Sequence, residues 1–120
     1  MKRIAIAILM FSIPAFAADP TLTGTWKLNS NIVGSKTENT CMFTQTGNDI
    51  KGDCKDANQT PLTLTGTIDD KGVHMTAKSE YSGTPLTMTY EATFADAKTI
   101  NGSVHVQPYG VKGTFTLAKQ

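Results

Sequence analysis

With 120 residues the chain has room for one small domain around a single core, and its 39% hydrophobic content excludes a disordered polymer. The formal net charge is only +1, and the sole arginine, Arg3, sits beside Lys2 at the N-terminus. Cations this scattered form no basic patch, so nucleic acid, anionic lipid and phosphorylated substrates are not expected partners.

Met1-Lys2-Arg3, the apolar stretch Ile4 to Phe16 and the small-residue site Ala15-Phe16-Ala17 have the three parts of a secretory signal peptide. Residues 1–17 are therefore expected to be removed, leaving 18–120 as a β-barrel domain in the periplasm or outside the cell. The apolar run is too short to span a bilayer, so the mature chain is expected to have no membrane span. No cysteine follows the cleavage site to carry a lipid anchor. Losing Lys2 and Arg3 turns the formal charge from +1 to −1.

From Leu22 onward polar and apolar residues alternate, which predicts strands at 22–32, 37–46, 49–55, 62–68, 73–81, 86–94, 100–106 and 111–118. No helical period competes. Turn residues separate them at 33–36, 47–48, 55–61, 69–72, 82–85, 95–99 and 107–110. Short connections make successive strands antiparallel. Gly24, Gly52, Gly66, Gly102 and Gly113 fall on the inward face, with Gly34 in a turn, and glycine inside a strand marks a sharp bend or a close approach. The predicted fold is all-β, a single eight-stranded antiparallel up-and-down barrel.

Folding each hairpin about its turn sets large inward residues against small ones. The first hairpin is expected to place Trp26 opposite Phe43 and Leu28 opposite Cys41. The others place Phe43 opposite Gly52, Gly66 opposite Met75, Leu64 opposite Ala77, Tyr90 opposite Val104, and Gly102 opposite both Ala92 and Phe115. Rows of threonine, such as Thr63, Thr65 and Thr67, form the solvated outer face. They could order water on a flat sheet, but a curved one argues against ice binding. Cys41 and Cys54, the chain's two cysteines, face each other across the 47–48 turn in a non-hydrogen-bonded pair, and a disulfide is expected. A redox or metal pair is disfavoured, because C-x-x-C spacing is absent and no histidine shares that face.

Gly24-Thr25-Trp26 resembles the G-x-W element that opens the first strand of lipocalins and related calycins, where the tryptophan closes one end of an eight-stranded barrel. The resemblance implies a lipocalin-like binding barrel. Only Gly24 and Trp26 carry over by residue, and Lys119 is the nearest counterpart of the arginine that packs on the family's tryptophan. The opening Leu22-Thr23-Gly24-Thr25-Trp26 is similar to avidin's as well, but Trp26 is the chain's single tryptophan, whereas biotin sites of that type need several.

The inward residues sort into two rims. Leu22, Ile50, Ile68, Val73, Phe94, Ile100 and Leu117 predict a plugged end. Ser30, Asn39, Ser79 and Tyr81, beside Leu62, Leu86, Val106 and Val111, predict an open one. A ligand pocket is expected between Trp26, Phe43, Met88, Tyr90 and Phe115, with Asn39, Ser79, Tyr81 and Tyr109 orienting the ligand at the mouth. The same side chains also describe a solidly filled barrel, and with so many large residues pointing inward that reading is the favoured one. Buried Tyr90 and Gln45 need hydrogen-bond partners in either case.

Catalysis is not expected. His74 and His105 fall on the outer face, Asp69-Asp70 reads as a hairpin turn, Glu80 and Glu91 have no groove around them, and no serine shares a face with a histidine. No set of donors converges on a metal, and no cofactor is implied. Two classes of function remain: an exported carrier of a small hydrophobic ligand, or a protein-binding barrel similar to the exported bacterial inhibitors of proteases or lysozyme. The second would have to act through the 55–61 loop or Pro108-Tyr109-Gly110.

Overall fold

The computed structural model describes residues 21–120, so the leader expected at 1–17 lies outside the described residues. Eight strands follow one another: β1 (Gly24–Ile32), β2 (Ser35–Thr46), β3 (Asp49–Lys55), β4 (Pro61–Asp69), β5 (Gly72–Tyr81), β6 (Thr84–Asp96), β7 (Thr99–Gln107) and β8 (Val111–Lys119). Each pairs antiparallel with the next, and β8 returns to β1 to close the barrel. The expected alternation is visible in every strand. In β3, Ile50, Gly52 and Cys54 are buried while Asp49, Lys51, Asp53 and Lys55 are exposed.

Closing so small a cylinder forces neighbouring strands together at corners, and glycine makes room for them. A Cβ on Gly66 of β4 would strike the carbonyl oxygen of His74 in β5, and one on Gly102 of β7 would strike that of Glu91 in β6. At Gly52 the missing side chain is replaced by the Phe43 ring, whose Cε1 lies 2.5 Å from where a Cβ would stand. Phe43 and Gly52 are cross-strand partners, as are Cys41 and Cys54, which form a disulfide with Cα atoms 3.9 Å apart. Closing a loop with a sequence separation of 13 contributes about 2–3 kcal/mol by restricting the unfolded chain.

One end is sealed by the residues expected there. Leu22, Ile50, Ile68, Val73, Ile100 and Leu117 are all at most 4% exposed, and Phe94 is half-buried beside a register shift between Phe94 and Asp96. The polar groups at this end are satisfied. Trp26 Nε1 donates to the Leu22 carbonyl oxygen at 2.8 Å, Leu22 N donates to Gln45 Oε1 at 2.8 Å, and Gln45 Nε2 donates to the Gly47 carbonyl at 3.0 Å. Gln45 thereby finds the partners its position demands.

The first hairpin departs from expectation. Trp26 faces Cys41, Leu28 faces Asn39 and Gly24 faces Phe43, a shift of two residues from the predicted register. The cause is the turn: Ile32 pairs with Ser35, leaving the two-residue loop Val33-Gly34 with φ of 52° and 83° in place of a four-residue turn. Positive φ at both positions suits the twist of a hairpin, but a β-branched residue at the first is disfavoured, so the sequence reads as a longer loop. Asn31 Oδ1 accepts a hydrogen bond from Gly34 N at 3.1 Å and holds the turn. An even shift keeps every side chain on its face, and all the other predicted pairings are present.

Two substitutions test this geometry by thermal or denaturant unfolding. Gly66→Ala should cost about 3 kcal/mol, because the collision is with backbone that cannot move without opening β4 from β5. Val33→Asn should stabilise by about 1 kcal/mol by relieving the positive φ.

Candidate functional site

Alternation along the strands places one inward residue per layer, so the lumen can be followed from the sealed end to the mouth. Trp26 and Phe43, 0% and 2% exposed, belong to the sealed half. Lys119 Nζ lies 5.9 Å from the centroid of the Trp26 ring, in the role the resemblance assigned to it. Tyr90, Phe115 and Met88 come next, all buried, with the Tyr90 and Phe115 rings edge to face at 86° and 5.0 Å between centroids. Asn39 is half-buried, while Ser79 and Tyr81 lie in solvent, Tyr81 being 65% exposed. The structure therefore brings Met88, Tyr90 and Phe115 together, leaves Trp26 and Phe43 deeper, and sets Ser79, Tyr81 and the exposed Tyr109 around the rim.

Above the Tyr90 and Phe115 level the inward side chains are less completely buried. Ile32, Leu62, Leu86 and Val111, inward residues of β1, β4, β6 and β8, pack against the core yet remain only partly buried. Their exposure contrasts with the complete burial of Leu22, Val73, Ile100 and Leu117 at the other end. The two ends differ in polar satisfaction too. The Tyr90 hydroxyl has as its nearest acceptor Met88 Sδ, at 3.9 Å, a weak partner that lies mouthward of it on β6. Burial pushes its pKa up to about 12, so it is a neutral donor at any physiological pH. Ser30, 7% exposed, is the buried polar residue of β1, and its hydroxyl makes no hydrogen bond among the described residues. It is the cross-strand partner of Phe115.

Ile32 is the mouth residue that sequence reasoning did not assign; Ser30 stands on the rim where the alternation places it. The signal for Ile32 was the alternation Trp26, Leu28, Ser30, Ile32, which points inward in either register of the first hairpin.

The outer wall carries two further features. A groove of about 780 Å³ runs along β2 and β3 under the 56–59 loop, lined by Glu38, Met42, Asp53 and Lys55. A depression of about 420 Å³ surrounds His74, Glu91 and Ser103, so Glu91 does have a hollow beside it. The expectation that no serine shares a face with a histidine also fails: Ser103 is the cross-strand partner of Glu91, which is in turn the partner of His74. Across the ladder a carboxylate stands opposite the serine, and His105 shares its face two residues along β7. His74 Nδ1 lies 2.5 Å from Glu91 Oε1 and its Nε2 lies 3.8 Å from Asp69 Oδ2, which ties the ring to β6 and to the β4–β5 turn. Among the described residues no group of His, Cys, Asp and Glu is arranged to hold a metal.

No protein-family model matches the chain, and no curated protein matches it. Solved structures do. A redesigned β-barrel superimposes with a TM-score of 0.64 at 18% identity, covering 82% of this chain and 91% of that one. The redesigned barrel mFAP1, bound to DFHBI, gives 0.62 at 20% identity, and EF1p2_mFAP2b bound to DFHBI gives 0.62 at 14%, each covering 82% of this chain and 94% of its own. At these identities the likeness shows the fold alone. The chain is a small closed eight-stranded barrel.

Asp69 yields a prediction about pH. Its Oδ1 accepts hydrogen bonds from Lys71 N at 2.8 Å and Gly72 N at 3.0 Å, and these amides, with His74 and Lys71 nearby, hold its carboxyl below the ordinary 3.8. The fold favours the ionised form, so the contribution is complete above the ordinary value and disappears as pH falls through the lowered one. Asp69→Ala should therefore melt earlier than the parent at pH 6. In thermal scans at successively lower pH, the difference should close below 3.8.

Proposed function

We propose that this protein is an exported, non-enzymatic barrel that carries a small apolar molecule at its mouth, on the side of the Tyr90–Phe115 pair away from Trp26. One observation supports the reading: the inward residues are fully buried at one end, whereas at the other Ile32, Leu62, Leu86 and Val111 are only half-buried above a Tyr90 hydroxyl whose partner is the weak acceptor Met88 Sδ. A barrel meant only to be filled would have no reason to stop filling on one side. Three lines support it further. Barrels of the same fold hold DFHBI. The G-x-W opening, with Lys119 over Trp26, is lipocalin-like. The leader at 1–17 directs the chain out of the cytoplasm, so the exported protein should begin at Ala18 on N-terminal sequencing.

A protein-binding role, such as inhibition of a protease or lysozyme, is the second reading. It is favoured by the exposed apolar side chains at the mouth: Val33, Tyr81 and Tyr109 are 75%, 65% and 53% exposed, and each belongs to a different hairpin.

Screening neutral apolar compounds by thermal shift separates the two. A ligand at a hundred times its Kd should stabilise the protein by about 2.7 kcal/mol, a rise in Tm of several degrees. Leu86→Asp, a charge at the half-exposed rim, should weaken the same ligand at least about tenfold while leaving the fold intact. No shift with any compound, together with inhibition of an exported protease or lysozyme that is lost on replacing Val33, Tyr81 and Tyr109 by serine, would establish the second reading instead.

A further inference from the structure

The turns at the two ends of the barrel differ in chemistry. At the sealed end the turns and their flanks carry Asp49, Asp69, Asp70, Lys71, Asp96 and Lys98. At the mouth the tips of three hairpins, residues 31–35, 81–87 and 106–111, contain no charged residue. Each presents a large apolar side chain to solvent instead. Val33, Tyr81 and Tyr109 are three of the four large hydrophobic side chains that stand exposed among the described residues. Because β8 pairs with β1, the β5–β6, β7–β8 and β1–β2 hairpins are consecutive around the ring. The three tips therefore form one arc, bordered on its inner side by the half-buried Ile32, Leu86 and Val111. The fourth mouth connection, between β3 and β4, carries Lys55 and Asp56 and ends the arc. Apolar side chains gathered at one end of a molecule mark an interaction surface.

The charges behind the arc indicate what covers it. Lys36, Lys78 and Lys112, all exposed, each stand three residues from the exposed apolar residue of their own hairpin. They are scattered in the sequence, and closure of the ring brings them to one rim. Three residues of a tilted barrel strand rise about 7–8 Å along the axis, which matches the ~5–8 Å depth of a lipid headgroup layer. With the tips at the edge of the acyl region, the three ammonium groups lie level with the lipid phosphates. Tyrosine suits this depth, with its ring against the chains and its hydroxyl among the headgroups. The acidic residues of the same hairpins are Glu38, 3.5 Å from Lys27, and Glu80, beside Tyr81. The positive excess is therefore small, and the apolar tips supply the attraction. A second copy docked mouth to mouth would instead set lysines against lysines.

We propose that the protein docks by its mouth on a lipid bilayer, with Val33, Tyr81 and Tyr109 entering the interface and Lys36, Lys78 and Lys112 meeting lipid phosphates. The β3–β4 loop is tilted away from the surface. The docking does not depend on the carrier reading: a docked mouth faces the phase in which apolar molecules dissolve, but the same surface would serve a barrel that carries none.

Flotation of the exported protein with phosphatidylcholine vesicles tests it. The parent should float with the vesicles, and the combined Val33→Ser, Tyr81→Ser and Tyr109→Ser variant should bind at least about tenfold more weakly. Met42→Ser, at the fourth exposed hydrophobic residue, lies on the wall of β2 opposite Thr25 and should change nothing. Insertion can be read at the tip itself. Tyr81→Trp should shift its emission to the blue on adding vesicles and be quenched by brominated phosphatidylcholine. The parent, whose single tryptophan is buried in the sealed half, should show neither change. No flotation of the parent, undiminished flotation of the triple variant, an equal loss in Met42→Ser, or an unchanged Tyr81→Trp spectrum would each overturn the proposal and leave the carrier reading standing. Absence of vesicle binding together with a dimer that the triple variant dissolves would assign the arc to a second copy. The same absence with inhibition of an exported protease or lysozyme, lost in the triple variant, would assign it to a protein partner.

Discussion

Pairing of β1 with β8, from Trp26 opposite Lys119 to Ile32 opposite Gly113, turns a meander into a cylinder and leaves no strand edge open. Each strand is only 7 to 13 residues long, so the curvature this pairing demands is concentrated at a few corners. Gly66 and Gly102 supply them by letting the carbonyls of His74 and Glu91 occupy the space of a side chain. Once the ring is closed, side chains have two destinations, lumen or water, and the alternation of the sequence assigns them. The disulfide then ties β2 to β3 at the lumen wall, where its two small sulfur-bearing side chains replace a bulkier pair.

That single rule made most of the fold legible. Strand number, direction and the facing of every inward residue follow from period two, and most strand bounds were within two residues of those observed. The β1–β2 register did not follow, because it depends on whether Val33 can adopt positive φ, an energetic question decided by the rest of the ladder and not by Val33's own preference. The error left the parity untouched, which explains how a hairpin misplaced by two residues still put Trp26 and Leu28 in the core.

The candidate site was less legible for a different reason. Alternation says that Trp26, Phe43, Met88, Tyr90 and Phe115 share a lumen; it does not say at which height each stands or how far its neighbours close over it. Five residues that read alike separate in the structure into a sealed group near Trp26 and a group below the mouth. Tyr81 and Ser79 read as lumenal polar groups because the period carries them inward, yet at the last turn of β5 there is no opposing wall left to bury them. On the outer face, the hollow beside Glu91 is bordered by Thr93, Asn101 and Ser103, surface relief that a strand pattern does not register.

Hydrogen bonding distinguishes the ends more sharply than hydrophobicity does. At the sealed end the polar atoms of Trp26 and Gln45 are matched by backbone groups within 3.0 Å, so nothing there is free to select a ligand. At the mouth end the buried Tyr90 hydroxyl has only the weak acceptor Met88 Sδ, and the aliphatic side chains above it are themselves half-buried. Filling that end with one more large aliphatic residue would gain about 1.5–3 kcal/mol from burial. A rigidly held donor with only a weak partner is the kind of group that a binding function can use.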